Sequence, residues 1–341
     1  MGHGERNVNL LQASKRVLRK TERMKLPRRI KDLLLAKQAF IDAQRSTMEA
    51  SVIKLQSKLF NNILSELIPE LDIKDGLIQD TAKNYRLISV LDKTYKSFQV
   101  SSGSVIASQI ITTTAKIAKL SNNYFEVVLS GDLPARFDKI IEGTNKLINL
   151  KIGLEGGKMT RGGFLQSFFD SNTIGTDLKQ MTSKAVTSNM DMKEYVKLLQ
   201  DKITGVDKTA GAMERQFQGY GYDLYQQYDR VYSNQLAKEF EFTYFVYQGG
   251  LIEDSRDFCV CHNNKVWSRE EAETWRTWTP SQGVYPDGYE VKAKDIYAVP
   301  SYLTVAGYVP MDDFGGPRCR HSPGFLADEL AFKMRPDLKK E

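Results

Sequence analysis

Near residue 239 the period of the apolar pattern changes, and this change limits what the chain can fold into. Upstream, apolar residues recur at intervals of three and four. From Phe240 onward, Phe240, Phe242 and Tyr244, then Phe245 and Tyr247, alternate in an aromatic run that stops at Gly249-Gly250. Spacings of three and four line one face of a helix, whereas alternation lines one face of a strand. The expected fold is a mainly α N-terminal body, residues 31–239, followed by a small α+β C-terminal module, residues 240–330, and a short tail, 331–341.

Within the body, Leu34, Phe40, Ile41, Met48, Val52, Leu55, Leu59, Phe60, Ile63 and Leu67 fit one long amphipathic helix ending near Pro69. Residues 80–98 and 102–120 give two further helical patterns, and 123–129 and 133–150 continue them, with Pro134 placed as a helix start. The segment 153–163 carries five glycines, four of them within 154–163, and reads as a hinge; it lacks the Gly-Lys-Ser/Thr ending and the preceding strand of a phosphate-binding loop. Residues 164–182, a stretch capped by Asp191 and running to Ile203, and 210–239 are read as helices. In the last, Tyr225, Tyr228 and Tyr232 share a face, a spacing that suits a packed core better than base stacking.

The module is rich in proline (Pro280, Pro286, Pro300, Pro310, Pro317, Pro323) and has one clear helix, 268–278. Ser268 followed by Glu270 and Glu271 is a helix entry: a hydroxyl cap, then acids that complement the helix dipole. All three cysteines and two of the three histidines fall in two blocks of this module, 254–275 and 314–325. Cys259, Cys261, His262, Cys319 and His321 offer enough ligands for a four-coordinate zinc, although one residue between Cys259 and Cys261 is a tight spacing for a shared ion. The same residues also suit a small core that pairs strands across the two blocks, with His321 hydrogen-bonded. A third reading is a Cys-His nucleophilic pair oriented by Asp254 or Asp313. Cys261-His262-Asn263-Asn264 hints at a His-Asn-His nuclease, but the helix 268–278 has no second histidine. Asp254 and Arg256 read as a loop-fixing pair.

Charge separates the first residues from the rest. The formal net charge is +6, yet residues 1–37 hold eleven Lys or Arg against Glu5, Glu22 and Asp32, a local +8 that leaves the remainder near −2. Residues 1–30 are thus expected to be a basic arm. Lys15, Arg16, Arg19, Lys20, Arg23, Arg28 and Arg29 are its candidates for packaged DNA or an acidic protein surface, since clustered cations gain free energy by releasing counterions from phosphates. No stretch approaches the roughly twenty apolar residues of a spanning helix, and Met1 to Gln12 lacks a signal-peptide core, so a chain neither exported nor membrane-spanning is expected. An odd cysteine count argues against a disulfide framework and for synthesis in a reducing cytoplasm.

The two blocks also carry a resemblance. Tyr247, Gly249 and Gly250, then Asp254, Ser255, Arg256 and Cys259, then Lys265, Val266, Trp267 and Ser268, and finally Cys319, Arg320 and His321 follow one another in a recognisable order. That order resembles the C-terminal signature of the phage head morphogenesis family, the minor head proteins of the phage Mu F type. The similarity covers roughly residues 240–326. Its cysteine spacing is tighter than the family's, and its closing element has one cysteine where many members have two. The resemblance implies a minor capsid protein of a tailed phage that associates with portal and capsid or scaffold proteins during procapsid assembly in the host cytoplasm. It further implies residence in the virion, at the capsid interior or portal vertex, with a role in DNA packaging or ejection and no catalysis. It leaves the cofactor as none or zinc. The alternatives are a zinc-containing DNA-binding protein and a Cys/His-dependent hydrolase.

Overall fold

The computed structural model describes residues 26–129, 137–155, 158–160, 165–166, 174–206, 209–221 and 223–339. Of the basic arm, Lys15, Arg16, Arg19, Lys20 and Arg23 lie outside these residues, as do Pro134 and most of 164–173. The body is helical. Helix α1 (Arg28–Glu66) opens directly after Pro27, whose fixed φ and missing N–H fit the residue preceding a first turn. Leu34, Ile41, Met48, Val52, Leu55, Leu59 and Ile63 form its buried stripe. A two-residue hairpin follows, β1 (Ile73–Lys74) with β2 (Leu77–Ile78). Asp75 and Gly76 turn it with φ of 51° and 80°, the doubly left-handed conformation that Asp-Gly supplies at a tight hairpin.

Where the sequence suggests two or three separate helices there is one, α2 (Ala82–Leu129), 48 residues long. Ser101, Ser102, Gly103 and Ser104 lower helix propensity locally, but no proline interrupts the segment. The buried stripe Leu91, Tyr95, Phe98, Ser102, Ile106 and Ile110 runs straight through them at spacings of three and four. Packing of an amphipathic face outweighs a propensity deficit of a few tenths of a kcal/mol per residue. Helix α3 (Phe137–Ile152) leads into a short pairing of β3 (Leu154–Glu155) with β4 (Lys158–Met159) inside the glycine-rich segment. Helices α4 (Thr176–Thr187) and α5 (Met192–Thr204) follow. Asp191 caps α5, accepting from the backbone N–H of Lys193 at 2.9 Å and Glu194 at 3.1 Å.

The pairing of β5 (Gly205–Val206) with β6 (Thr209–Ala210) precedes a stretch expected to be one helix. It is instead α6 (Ala212–Gln216), a π-helical turn (Phe217–Gly221) and α7 (Leu224–Glu239). Gly219 and Gly221 account for the break, since glycine loses the most backbone freedom in a regular helix.

In the module, β7 (Tyr244–Gly249) is the central strand of a three-stranded antiparallel sheet. Helix α8 (Asp257–His262) follows it. Next, β8 (Val266–Ser268) pairs one edge of β7, and α9 (Arg269–Glu273) continues into a 3-10 turn, Thr274–Thr277. After a loop-rich stretch come α10 (Pro310–Asp313), β9 (His321–Leu326) on the other edge of β7, and α11 (Asp328–Met334). The register sets Phe245 opposite both Trp267 and Phe325, and Gly249 opposite His321. Pro323 sits in β9, an edge strand, where a missing N–H costs no ladder bond on the outer side. No helix among the described residues is long and apolar enough to cross a membrane.

Contacts group the chain into two compact units. One gathers the described residues up to 43, those of 113–145 and those from 223 onward; the other gathers 44–112 and those of 146–222. In the second, Gln56 is buried and accepts from the Glu214 N–H at 2.9 Å. Asn84 there satisfies the backbone of Asp72 and Gln79. In the first, the sheet packs with helices far away in sequence. Tyr124 donates to Phe325 O at 2.6 Å, and a Cβ on Gly324 would lie 2.9 Å from Leu34 Cδ1. Helix α7 is buried on most of its circumference, including Tyr225, Tyr228 and Tyr232, so the tyrosine face is core.

Candidate metal centre

Three of the five candidate ligands meet. Cys259 lies on α8, Cys319 in the turn before β9, and His321 opens β9; their ligand atoms all lie within 4.8 Å of one another and all three residues are buried. The two sulfurs are 3.8 Å apart, and Nδ1 of His321 is 3.7 Å from Cys319 Sγ. Tyr247, which points from the centre of β7, places its hydroxyl 3.4 Å from each sulfur. Gly315 closes the pocket: a Cβ there would sit 2.6 Å from Cys259 Sγ and 3.3 Å from both Cys319 Sγ and the Tyr247 oxygen. The loop that carries Gly315 is tightly wound, with positive φ at Phe314, Gly316 and Arg318. For Phe314 and Arg318 that conformation costs energy which the surroundings must supply.

The other two candidates face elsewhere. Cys259 and Cys261 are two residues apart on a helix, so their side chains leave the axis about 200° apart and cannot share an ion. Cys261 Sγ contacts Phe258 O at 3.3 Å. His262 donates from Nδ1 to Phe258 O at 2.7 Å and is stacked between Phe258 and Trp267, with ring centroids 3.9 and 4.5 Å away. Trp275 and Trp278 close its edges. Burial in this box holds the His262 pKa at about 3, so the ring is neutral at pH 7 and serves as an aromatic filler.

The electrostatics around the three-residue cluster are unusual. Burial pushes the Cys319 thiol up, but the bond from Cys259, His321 and the Arg230 guanidinium outweigh it and hold Cys319 well below the ordinary thiol range. Cys259 is driven the other way, by its bond to Cys319 and by burial. Arg230, fully buried on α7, donates from one NH group to Cys319 O at 3.1 Å and His321 O at 3.2 Å. Its Nε has no partner and it forms no ion pair among the described residues.

Of the remaining signature residues, Arg256 braces this pocket and the others shape the module around it. Arg256 donates to Gly315 O at 2.6 Å and lies 4.6 Å from the Tyr302 ring centroid, tying the first block to the second. Ser255 closes a turn onto Ile252, Asp254 is exposed beside it, and Lys265 donates to Val284 O at 2.7 Å. Trp267 covers His262, and Ser268 with Glu271 forms a capping box, as the sequence spacing predicts. Arg320 is half-buried in the turn leading to β9. Arg28 and Arg29 open α1, where the Arg28 side chain is almost fully exposed 3.7 Å from Asp32.

Sequence reasoning did not single out Asp257, whose buried carboxylate gathers Tyr289, Lys292 N and Ala293 N, nor Arg230 and Lys37. The signal for the last two was present: a lysine at position 37 inside the Leu34–Ile41 stripe, and Asp229-Arg230 inside the tyrosine face. Compared with known proteins, the chain matches no family model, no curated protein and no solved structure.

Proposed function

We propose that the protein is a minor head component of a tailed phage that docks on the portal during procapsid assembly and remains in the virion. The observation that supports this reading most is the closure of the two signature blocks on each other. Block one supplies α8 and β8, block two supplies β9, and the shared strand β7 and the Arg256–Gly315 bond join them. Residues quoted as a linear pattern thus act together as one folding unit, as a family signature for an interaction module would. The amphipathic helices suit docking to portal or scaffold helices, and the arm from Lys15 to Arg29 suits packaged DNA. In this reading the module positions partners and catalyses nothing.

Co-purification with the portal protein of the same genome, at low and at high salt, tests it. A salt-resistant complex supports the head role, and loss of binding at both salts overturns it. Removing residues 1–25, which takes away five of the seven candidate cations and keeps Arg28 and Arg29, is expected to weaken salt-sensitive DNA binding and lower its salt dependence while leaving the portal complex intact.

A further inference from the structure

We infer that Cys259, Cys319 and His321 hold a structural zinc ion, with the Tyr247 phenolic oxygen at the fourth corner. A tetrahedral zinc with Zn–S of about 2.3 Å and Zn–N or Zn–O of about 2.0 Å sets its ligands about 3.8 Å apart for S···S and about 3.5–3.6 Å for S···N or S···O. The distances here are 3.8 Å between the sulfurs, 3.7 Å from Cys319 to the imidazole and 3.4 Å from each sulfur to Tyr247. The equal distances from Tyr247 to the two sulfurs place its oxygen on the plane that bisects them, where a fourth ligand belongs. As hydrogen bonds these contacts are long and weak, and they would leave Nδ1 of a buried imidazole poorly satisfied.

Arg230 supplies an independent argument. A fully buried guanidinium without an ion pair is costly, and buried charges are normally paired or sit beside a metal centre. Two thiolates and a phenolate around Zn²⁺ carry a net charge of −1, the complement of Arg230, and the protons of both thiols and of the phenol leave to solvent on binding. Arg230 also grips the carbonyls of Cys319 and His321, the kind of outer contact that orients metal ligands. Gly315 leaves room for the ligand atoms but none for a further side chain, so the site is closed and structural, without the open position a catalytic zinc keeps. This inference is independent of the head-protein reading: a portal complex without zinc, or zinc without a portal complex, would separate the two.

The test uses the full chain, expressed with zinc in the medium and purified without chelators. The expected result is one zinc per chain. Exchange for cobalt(II) should give thiolate-to-cobalt charge transfer in the near ultraviolet and the intense visible bands of a tetrahedral ion. Cys261→Ser and His262→Gln should keep both signals, whereas Cys319→Ser and His321→Asn should lose them. Arg230→Met, which removes no ligand, should weaken zinc binding about 10- to 100-fold in competition with a chelating dye. Folded wild-type chain that holds no stoichiometric zinc and gives no tetrahedral cobalt spectrum overturns the inference. So does a cobalt spectrum that survives Cys319→Ser and vanishes in Cys261→Ser. The wild-type spectrum decides even where a ligand variant fails to fold.

Discussion

Asp229 and Arg230 are neighbours on α7, both fully buried, and their charges are balanced in opposite ways. Asp229 meets Lys37 of α1 at 2.7 Å, with the hydroxyls of Ser121 and Ser233 at 3.0 and 3.3 Å filling the remaining acceptor sites of the same oxygen. Arg230 meets two carbonyls and an aromatic face, the Phe314 ring 5.9 Å away, and no carboxylate among the described residues. The first charge is neutralised by the protein itself, through a side chain 192 positions away along the chain. The second turns toward a cluster of sulfurs. Helix α7 therefore works as a two-sided joint: one residue locks helix to helix, and the next locks helix to the pocket beneath the sheet.

The largest break in this comparison should come from Asp229→Asn, which keeps the shape and strands Lys37 as a buried unpaired charge. A loss of about 3–5 kcal/mol in urea unfolding is expected, and the Lys37→Met, Asp229→Leu double variant should recover most of it. If the single variant costs under about 1 kcal/mol, the pair is not carrying buried charge. Next comes Arg230→Met, which leaves two carbonyls without a donor, for an expected loss of about 2–3 kcal/mol. Chelator treatment should lower the midpoint of both wild type and Arg230→Met, but that of Arg230→Met at a lower chelator concentration, which sharpens the contrast between the two residues. Tyr124→Phe removes the 2.6 Å bond to Phe325 O and should cost about 1–2 kcal/mol, because it frees a buried carbonyl. The smallest expected effect is Ser268→Ala, about 1 kcal/mol, since it removes a helix cap at the sheet edge and touches neither charge.

The fold class and the local punctuation were legible in the sequence because they are local. Apolar spacing located α1 and put its end within three residues of the observed Glu66, the Asp191 and Ser268 caps sit where their side chains announce them, and the change of period at residue 240 marks the approach to β7. Breaks inside helices were less legible. Ser101–Ser104 looks like an end of α2 but is carried through by the buried stripe on either side, while Gly219 and Gly221 were read through and do break the helix. The site was half legible. Composition gathered the cysteines and histidines, yet only the helical geometry of α8 separates Cys259 from Cys261. Tyr247 was read as part of an aromatic strand because alternation says which face it lines and not what lies beyond its ring. Lys37, Asp229 and Arg230 act across long sequence separations, and no window of local pattern contains their partners.

The contact between α1 and β9 also has a temporal side. Leu34 lies against Gly324, 290 residues later in the chain. At a synthesis rate of about 5–20 residues per second, the buried face of α1 waits roughly 15–60 seconds before the strand that covers it leaves the ribosome. During that interval Leu34 and its apolar neighbours are open to chaperones or to other nascent chains. Yield in cells should therefore respond to translation speed and chaperone supply more steeply than the equilibrium stability of the finished protein suggests.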